Sequence, residues 1–313
     1  MARMSPSAFA KLYRNLAVVN PAGAATFAKA AVGWSIPEAA SSALQLIKVV
    51  DLSEYVLLKP GSSAHLDARY ELLTKLQHDF TKKKSVSVTV MTIDGGAETR
   101  TFTSMTPELS ELVRYPFVGK GSPEAAQVAL QLASFYGLTK DFQTYCDTNL
   151  GLDCNGFVGN YLRRVVNRED WDEAENKNGI GPNALIDSIM RLLPGTFVTR
   201  IEDIKATNTY VIALAHENGK IVTEHSGKKF GHIGISDFTK GSPTPIGKPS
   251  SSTSASTPTK PAEVPIWVVE STGGKGLTEG WWRIRSVNKN SAFSIHRDSK
   301  ADVNFWVIKQ LIV

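Results

Sequence analysis

Cys154, one of two cysteines in a chain of 313 residues, follows Asp153 directly and opens an apolar run, Val158, Tyr161, Leu162 and Val165, at helical spacing. The spacing predicts a helix with the thiol in its first turn and Asp153 as N-cap, accepting an orphan backbone N–H. There the positive end of the helix dipole favours thiolate over thiol, which makes a nucleophile. The bland alternative is a cysteine that packs as a small buried hydrophobe. A matching histidine and carboxylate downstream weigh against it.

A cysteine nucleophile needs a base close to sulfur and a third group that holds the base in its productive tautomer. Of six histidines, His65 and His78 lie in the N-terminal half, His296 on a late strand, and His216 and His225 beside a turn-rich loop. His232 is different. Gly231 precedes it and Ile233-Gly234-Ile235 follows, so it starts a strand, where a rigid element can aim the ring. Further on, Glu270 ends the apolar run Trp267-Val268-Val269. Strand alternation puts Val268 and Glu270 on one face and Trp267 and Val269 on the other. Glu270 can therefore accept a hydrogen bond from His232 if the two strands pair across the segment between them. Asp237 competes for that role, but it is five residues from His232, and a regular strand turns it to the opposite face.

The elements that must position these groups change character along the chain. Residues 1–60 read as helical, with breaks at Asn20-Pro21 and Pro37, a helix start at Ser35-Ile36-Pro37-Glu38, and an apolar face from Ala43, Leu44, Leu46, Ile47 and Val50. After a turn at 59–63, Leu66, Tyr70, Leu73, Leu76 and Phe80 predict a helix over 64–80, closed by Lys82-Lys83-Lys84. Alternating Val86, Val88 and Val90, then Asp94-Gly95-Gly96 and 99–103, predict a β-hairpin. Ser122-Pro123-Glu124 opens a helix ended by Gly137. Beyond the cysteine helix come an acidic stretch at 168–181 and a helix over 182–193. Strands follow at 209–215, 232–236, 266–270, 281–287, 292–296 and 304–313, interrupted by a Ser/Thr/Pro/Lys-rich insertion at 241–262 that is expected to be disordered. Helices followed by an antiparallel sheet make an α+β pattern.

Composition sets outer bounds. Apolar residues at 42 % and charged residues at 21 % suit a folded globular chain of one or two domains, and a net charge of +5 is mildly basic. The basic residues are scattered, with no nucleic-acid recognition motif. Two cysteines eight residues apart, Cys146 and Cys154, argue against a disulfide framework and a structural zinc site. No cofactor or metal is called for. No Sec-type signal and no membrane span is expected, because Lys11 and Asn20-Pro21 interrupt the early apolar runs.

Asp153-Cys154-Asn155-Gly156-Phe157-Val158 resembles the Asp-Cys-Ser-Gly-Phe-Val motif of the NlpC/P60 cysteine peptidases, and Gly231-His232-Ile233-Gly234-Ile235 resembles that family's Gly-His-Val-Gly-Ile strand. Val268-Val269-Glu270 falls where the family carries its third, polar catalytic residue. Asn155 replaces a serine, Tyr136 and Tyr145 only loosely substitute for a Tyr-x-Gly-Gly element, and Glu270 replaces the commoner histidine, as in CHAP amidases. The resemblance implies a papain-like α+β fold, helices packed on an antiparallel sheet, over 116–313, with an additional mostly helical domain at 1–115 of unassigned role. It implies hydrolysis of an amide in the peptide part of peptidoglycan by Cys154, His232 and Glu270. Asp153, Asn155 and the backbone of the cysteine turn are the substrate or oxyanion candidates. A thiol-dependent acyltransferase or deamidase is the alternative chemistry, and a catalytically dead binding module is the third reading. A peptidoglycan substrate without a Sec signal implies a secreted effector exported by a non-Sec route to the periplasm or cell wall. Its partners would then be a secretion apparatus and an immunity or inhibitor protein.

Overall fold

The computed structural model describes residues 4–19, 44–47, 64–93, 95–166, 181–205, 207–223, 231–241, 263–272, 276–297 and 304–312. The expected break at Asn20-Pro21, helix start at Ser35-Ile36-Pro37-Glu38, turn at 59–63 and His225 lie outside them, as does nearly all of the acidic stretch and of the insertion. Packing divides the chain into two compact units. Met1–Ser7, Tyr161–Glu270 and Thr278–Val313 form one, and Ala8–Asn160 with Ser271–Leu277 the other. The division near residue 160 lies inside the region 116–313 that the sequence treats as one catalytic domain.

In the mostly helical unit, α1 (Pro6–Arg14) leads into β1 (Leu16–Val19), which pairs antiparallel with β2 (Leu44–Ile47), Leu16 opposite Ile47. Both stretches fall in the part of the chain read as helical, and that expectation is corrected here. A four-residue apolar run carries no decisive period, so the partner strand decides its conformation. The helix α2 (Ala64–Thr81) forms as its spacing predicts, but its buried stripe is His65, Leu72, Leu76 and Asp79, while Leu66 and Tyr70 are exposed.

The predicted hairpin is β3 (Val86–Met91) and β4 (Ala97–Phe102), and Val86, Val88 and Val90 are buried. After α3 (Pro107–Arg114) and a 3-10 turn over Tyr115–Val118 comes α4 (Pro123–Phe135), capped by Ser122, whose Oγ accepts the Ala125 N–H at 3.2 Å. This helix satisfies the other edge of β3 with side chains. Gln131 accepts from the Thr89 N–H (3.0 Å) and donates to the Thr89 carbonyl (2.6 Å). Gln127 does the same at Met91 (2.7 and 3.0 Å). The match is geometric: four helical residues rise about 6 Å and two strand residues about 6.7 Å, so glutamines one turn apart meet alternate backbone positions. Two more helices among the described residues are α5 (Phe142–Asn149) and α6 (Cys154–Tyr161). Phe9 and Tyr13 of α1 pack their rings on each other and on Phe157 of α6, and the segment Ser271–Leu277 is held by Ser271 Oγ donating to the Leu152 carbonyl and Arg14 to that of Leu277.

The other unit contains α7 (Ile186–Leu192) and most of six strands: β5 (Tyr210–Ala215), β6 (Ile233–Ser236), β7 (Val264–Thr272), β8 (Gly276–Val287), β9 (Phe293–Arg297) and β10 (Asn304–Gln310). They close into a barrel of order β10-β5-β6-β7-β8-β9, antiparallel throughout the registers observed. The papain-like expectation is thereby corrected. The last strand pairs with both β5 and β9, so the sheet has no open edges, and its apolar face turns inward upon itself. Large rings fill the interior: Trp282, Phe293, Trp306 and Tyr210 pack with Ile212, Val268, Ile284, Ile295 and Ile308.

Candidate active site

Cys154 belongs to the mostly helical unit, and His232 and Glu270 belong to the barrel unit. Cys154 is the first residue of α6, as its spacing predicts, and is partly exposed. Asp153 caps the helix: its Oδ1 accepts the Gly156 N–H at 2.5 Å, its carbonyl accepts the Phe157 N–H at 2.9 Å, and its own N–H donates to the Gly119 carbonyl at 2.9 Å. Oδ2 takes the Lys120 ammonium at 2.6 Å, so both carboxylate oxygens are engaged by the chain itself. The Cys154 thiol donates to Asn155 Oδ1 at 3.4 Å, and the Asn155 side chain is buried.

A short loop is strapped onto this helix start. Gly119 adopts φ +73° as it ends the 3-10 turn, and the same residue is pressed so closely on α6 that a Cβ at Gly156 would collide with its carbonyl oxygen. Asn160 closes the arrangement by donating to the carbonyls of Lys120 (3.0 Å) and Gly156 (2.7 Å). The thiol therefore stands on a helix whose first turn is fixed from three sides. Cys146 is fully buried in α5, and neither it nor Cys154 is in a disulfide.

In the barrel unit, His232 immediately precedes β6, and its carbonyl accepts the Leu214 N–H at 2.8 Å. Strands β6 and β7 pair across the insertion with Gly234 opposite Glu270 and Ser236 opposite Val268. Val268 belongs to the barrel core, so Glu270, two residues on, shares the inward face. His232 is likewise two residues from Gly234, which brings its ring to the same barrel end. Its Nε2 lies 2.5 Å from Glu270 Oε2, with the histidine side chain 18 % and the glutamate side chain 9 % exposed. Gly234 packs tightly here, since a Cβ there would press on Val268 at 3.0 Å.

Asp237 has a different task. It caps the 3-10 turn Phe238–Lys240 through the Thr239 N–H (2.8 Å) and hydroxyl (2.6 Å), and it accepts the Ser7 N–H at 2.9 Å. Burial pushes its carboxyl up, but the hydrogen bonds from Ser7 and Thr239 outweigh burial and hold it below the ordinary carboxylate range.

A third group joins the His232–Glu270 pair that the sequence reading did not single out. Arg297 ends β9 on the inward face set by Phe293 and Ile295, and its Nη2 donates to the same Oε2 of Glu270 that meets His232. That nitrogen is 3.4 Å from His232 Nε2. Beneath, the guanidinium lies 4.6 Å from the Trp282 ring centre and 5.5 Å from that of Trp306. Trp306 also meets the His232 ring edge-on, centroids 6.0 Å apart at 80°. Burial pulls the guanidinium down to about 10, which still leaves it charged at neutral pH. The sequence did hold a signal: Arg297 sits two residues after Ile295, a charge on an apolar face, just as Glu270 follows Val268.

The remaining described histidines are elsewhere. His65 is buried in α2, where burial lowers its pKa, His78 is on the same helix, His216 is at the end of β5 and His296 is on β9. Among the described residues no group of three or more His, Cys, Asp or Glu side chains is arranged to hold a metal ion, and no helix is long and apolar enough to cross a membrane. Comparison with protein-family models, with curated proteins and with solved structures finds no match to this chain.

Proposed function

We propose that this chain is a cysteine hydrolase that cleaves an amide bond in the peptide part of peptidoglycan, with Cys154 as nucleophile, His232 as acid and base, and Glu270 as the group that orients His232. The observation that carries the reading is the pairing of His232 Nε2 with the buried Glu270 carboxylate. In this reading Nε2 donates to that carboxylate, which leaves Nδ1 for proton exchange with a thiol and a leaving amine. A thiol at the first position of a capped helix supports it, as do the two stretches that resemble the NlpC/P60 motifs. The resemblance enters through those stretches alone, because the closed barrel is not a papain-like sheet.

The chemistry requires the Cys154 sulfur and the His232 ring to meet around the substrate. Proton transfer from the thiol to Nδ1 gives thiolate and imidazolium. Sulfur then attacks the amide carbonyl carbon, and the carbonyl electron pair moves onto oxygen. The Cys154 backbone N–H, at the start of α6, is the oxyanion donor in this reading. Collapse of the intermediate breaks the C–N bond as the imidazolium protonates the departing amine, leaving a thioester. Water, deprotonated by His232, hydrolyses that thioester and restores the thiol.

Incubation of the purified chain with peptidoglycan sacculi, followed by mass spectrometry of the released muropeptides, tests the proposal. Fragments with one new amine and one new carboxylate terminus are expected from the wild type, and none from Cys154→Ala or His232→Ala. Digestion by Cys154→Ala at the wild-type rate would remove the assignment. Products carrying a transferred acyl group, or a side-chain amide converted to acid without backbone cleavage, would assign the thiol to acyl transfer or deamidation instead.

A further inference from the structure

Glu270 Oε2 is shared between two partners, the His232 ring and the Arg297 guanidinium, and Arg297 is held under it by two indoles. An acidic partner of a catalytic histidine is an acceptor at both oxygens, with no proton of its own to donate, only while it is ionised. Buried without a cation, a carboxylate favours its neutral form, and a neutral carboxyl can donate instead of accept. A donating Glu270 would turn Nε2 into an acceptor and place the imidazole proton on Nδ1, the nitrogen that must be bare to take a proton. The cation in contact with Oε2 is Arg297, which points its Nη2 donor at the carboxylate and lies 3.4 Å from Nε2.

We propose that Arg297 is a positioning residue that sets the tautomer of His232: it compensates the Glu270 carboxylate, keeps it an acceptor, fixes the ring proton on Nε2, and leaves Nδ1 bare. The inference rests on the reading of His232 as the base, and adds to it the charge that makes the base competent. Trp282 and Trp306 both lie against the guanidinium, and Trp306 also meets the imidazole edge-on, so one indole contacts both partners of Glu270. The side chains that meet at this barrel end, His232, Glu270 and Arg297, are contributed by the start of β6, by β7 and by β9.

The test uses the full chain labelled with nitrogen-15 in its histidine rings, read by NMR above the pH at which His232 protonates, without substrate. In the wild type the His232 Nε2 resonance should be pyrrole-like and Nδ1 pyridine-like, and the reverse pattern overturns the proposal without any variant having to fold. Arg297→Met should move the proton to Nδ1, whereas Arg297→Lys, which keeps a cation, should retain the wild-type pattern. If both variants keep that pattern, or both lose it, charge compensation is not what sets it. In the sacculus assay Arg297→Met should lower kcat by ~10²- to 10⁴-fold, the range seen when a base is held in the wrong tautomer, with Arg297→Lys in between. Failure of the hydrolase reading is separable: inactive wild-type protein with an Arg297-dependent tautomer would leave this proposal standing.

Discussion

Glu270 meets His232 diagonally between strands: its own partner on β6 is Gly234, two residues on from the histidine. The histidine stands one inward position before that glycine, just outside β6, so its ring can lean over the missing side chain onto the carboxylate. The pair is diagonal, two residues apart along β6, a separation that an aromatic ring and a glutamate side chain can span.

Replacing Glu270 with glutamine keeps the shape and removes the charge that fixes the ring. The expected result is a fall in kcat of ~10²- to 10⁴-fold with a much smaller change in KM, since substrate binding does not use this buried group. Steady-state digestion of sacculi measures both. Equal activity in Glu270→Gln would remove the carboxylate from the mechanism.

The two thiols differ in access, Cys146 being fully buried and Cys154 partly exposed. Iodoacetamide at neutral pH should add one carbamidomethyl group to the native chain, mapped by peptide mass spectrometry to Cys154, and two after unfolding. First labelling at Cys146 contradicts the packing of α5.

At Gly156 the chain has no room for a methyl group, because the Gly119 carbonyl occupies the space. Gly156→Ala should therefore destabilise the helical unit by ~3 kcal/mol despite alanine's better helix propensity, as overpacking against backbone does. Denaturant unfolding gives the value. A neutral or stabilising substitution would show that the loop is not pressed on α6.

Gln131→Leu should leave the Thr89 N–H and carbonyl without partners, at ~1–3 kcal/mol for each group. The loss should be local before it is global. Hydrogen exchange at Thr89 and Met91 is expected to accelerate more than exchange in α6, and uniform acceleration would place the glutamine outside the hairpin's support.

Asp237 links pH to stability. Its folded-state pKa lies below the unfolded value, so the stabilisation it contributes is complete above roughly pH 4 and is lost as the pH falls through the folded value. Asp237→Asn should be less stable than wild type at neutral pH but lose less on acidification. Urea midpoints measured from about pH 6 down to about pH 3 should converge for the two proteins, and parallel curves would mean the carboxylate is not ionised in the fold.

Much of the site was legible from residues near one another in sequence. The cap at Asp153, the helix start at Cys154, the strand after His232 and the face shared by Val268 and Glu270 all follow from local spacing. Alternation along β6 also turns Asp237 away from His232, because each residue along a strand reverses the side-chain direction. These features depend on a few consecutive residues, whose backbone geometry fixes where each side chain points.

Ring closure, the ribbon of β1 and β2, the rotated stripe of α2 and the contact of Arg297 with Glu270 were decided by tertiary structure. Each depends on a partner far along the chain: Leu16 meets Ile47, Phe305 meets Ala215, and Arg297 meets Glu270. A period in the sequence states which face is apolar, but it does not state what that face will meet. In this protein the inward face met itself, and the two opposite charges left on it, Glu270 and Arg297, came to rest beside the histidine.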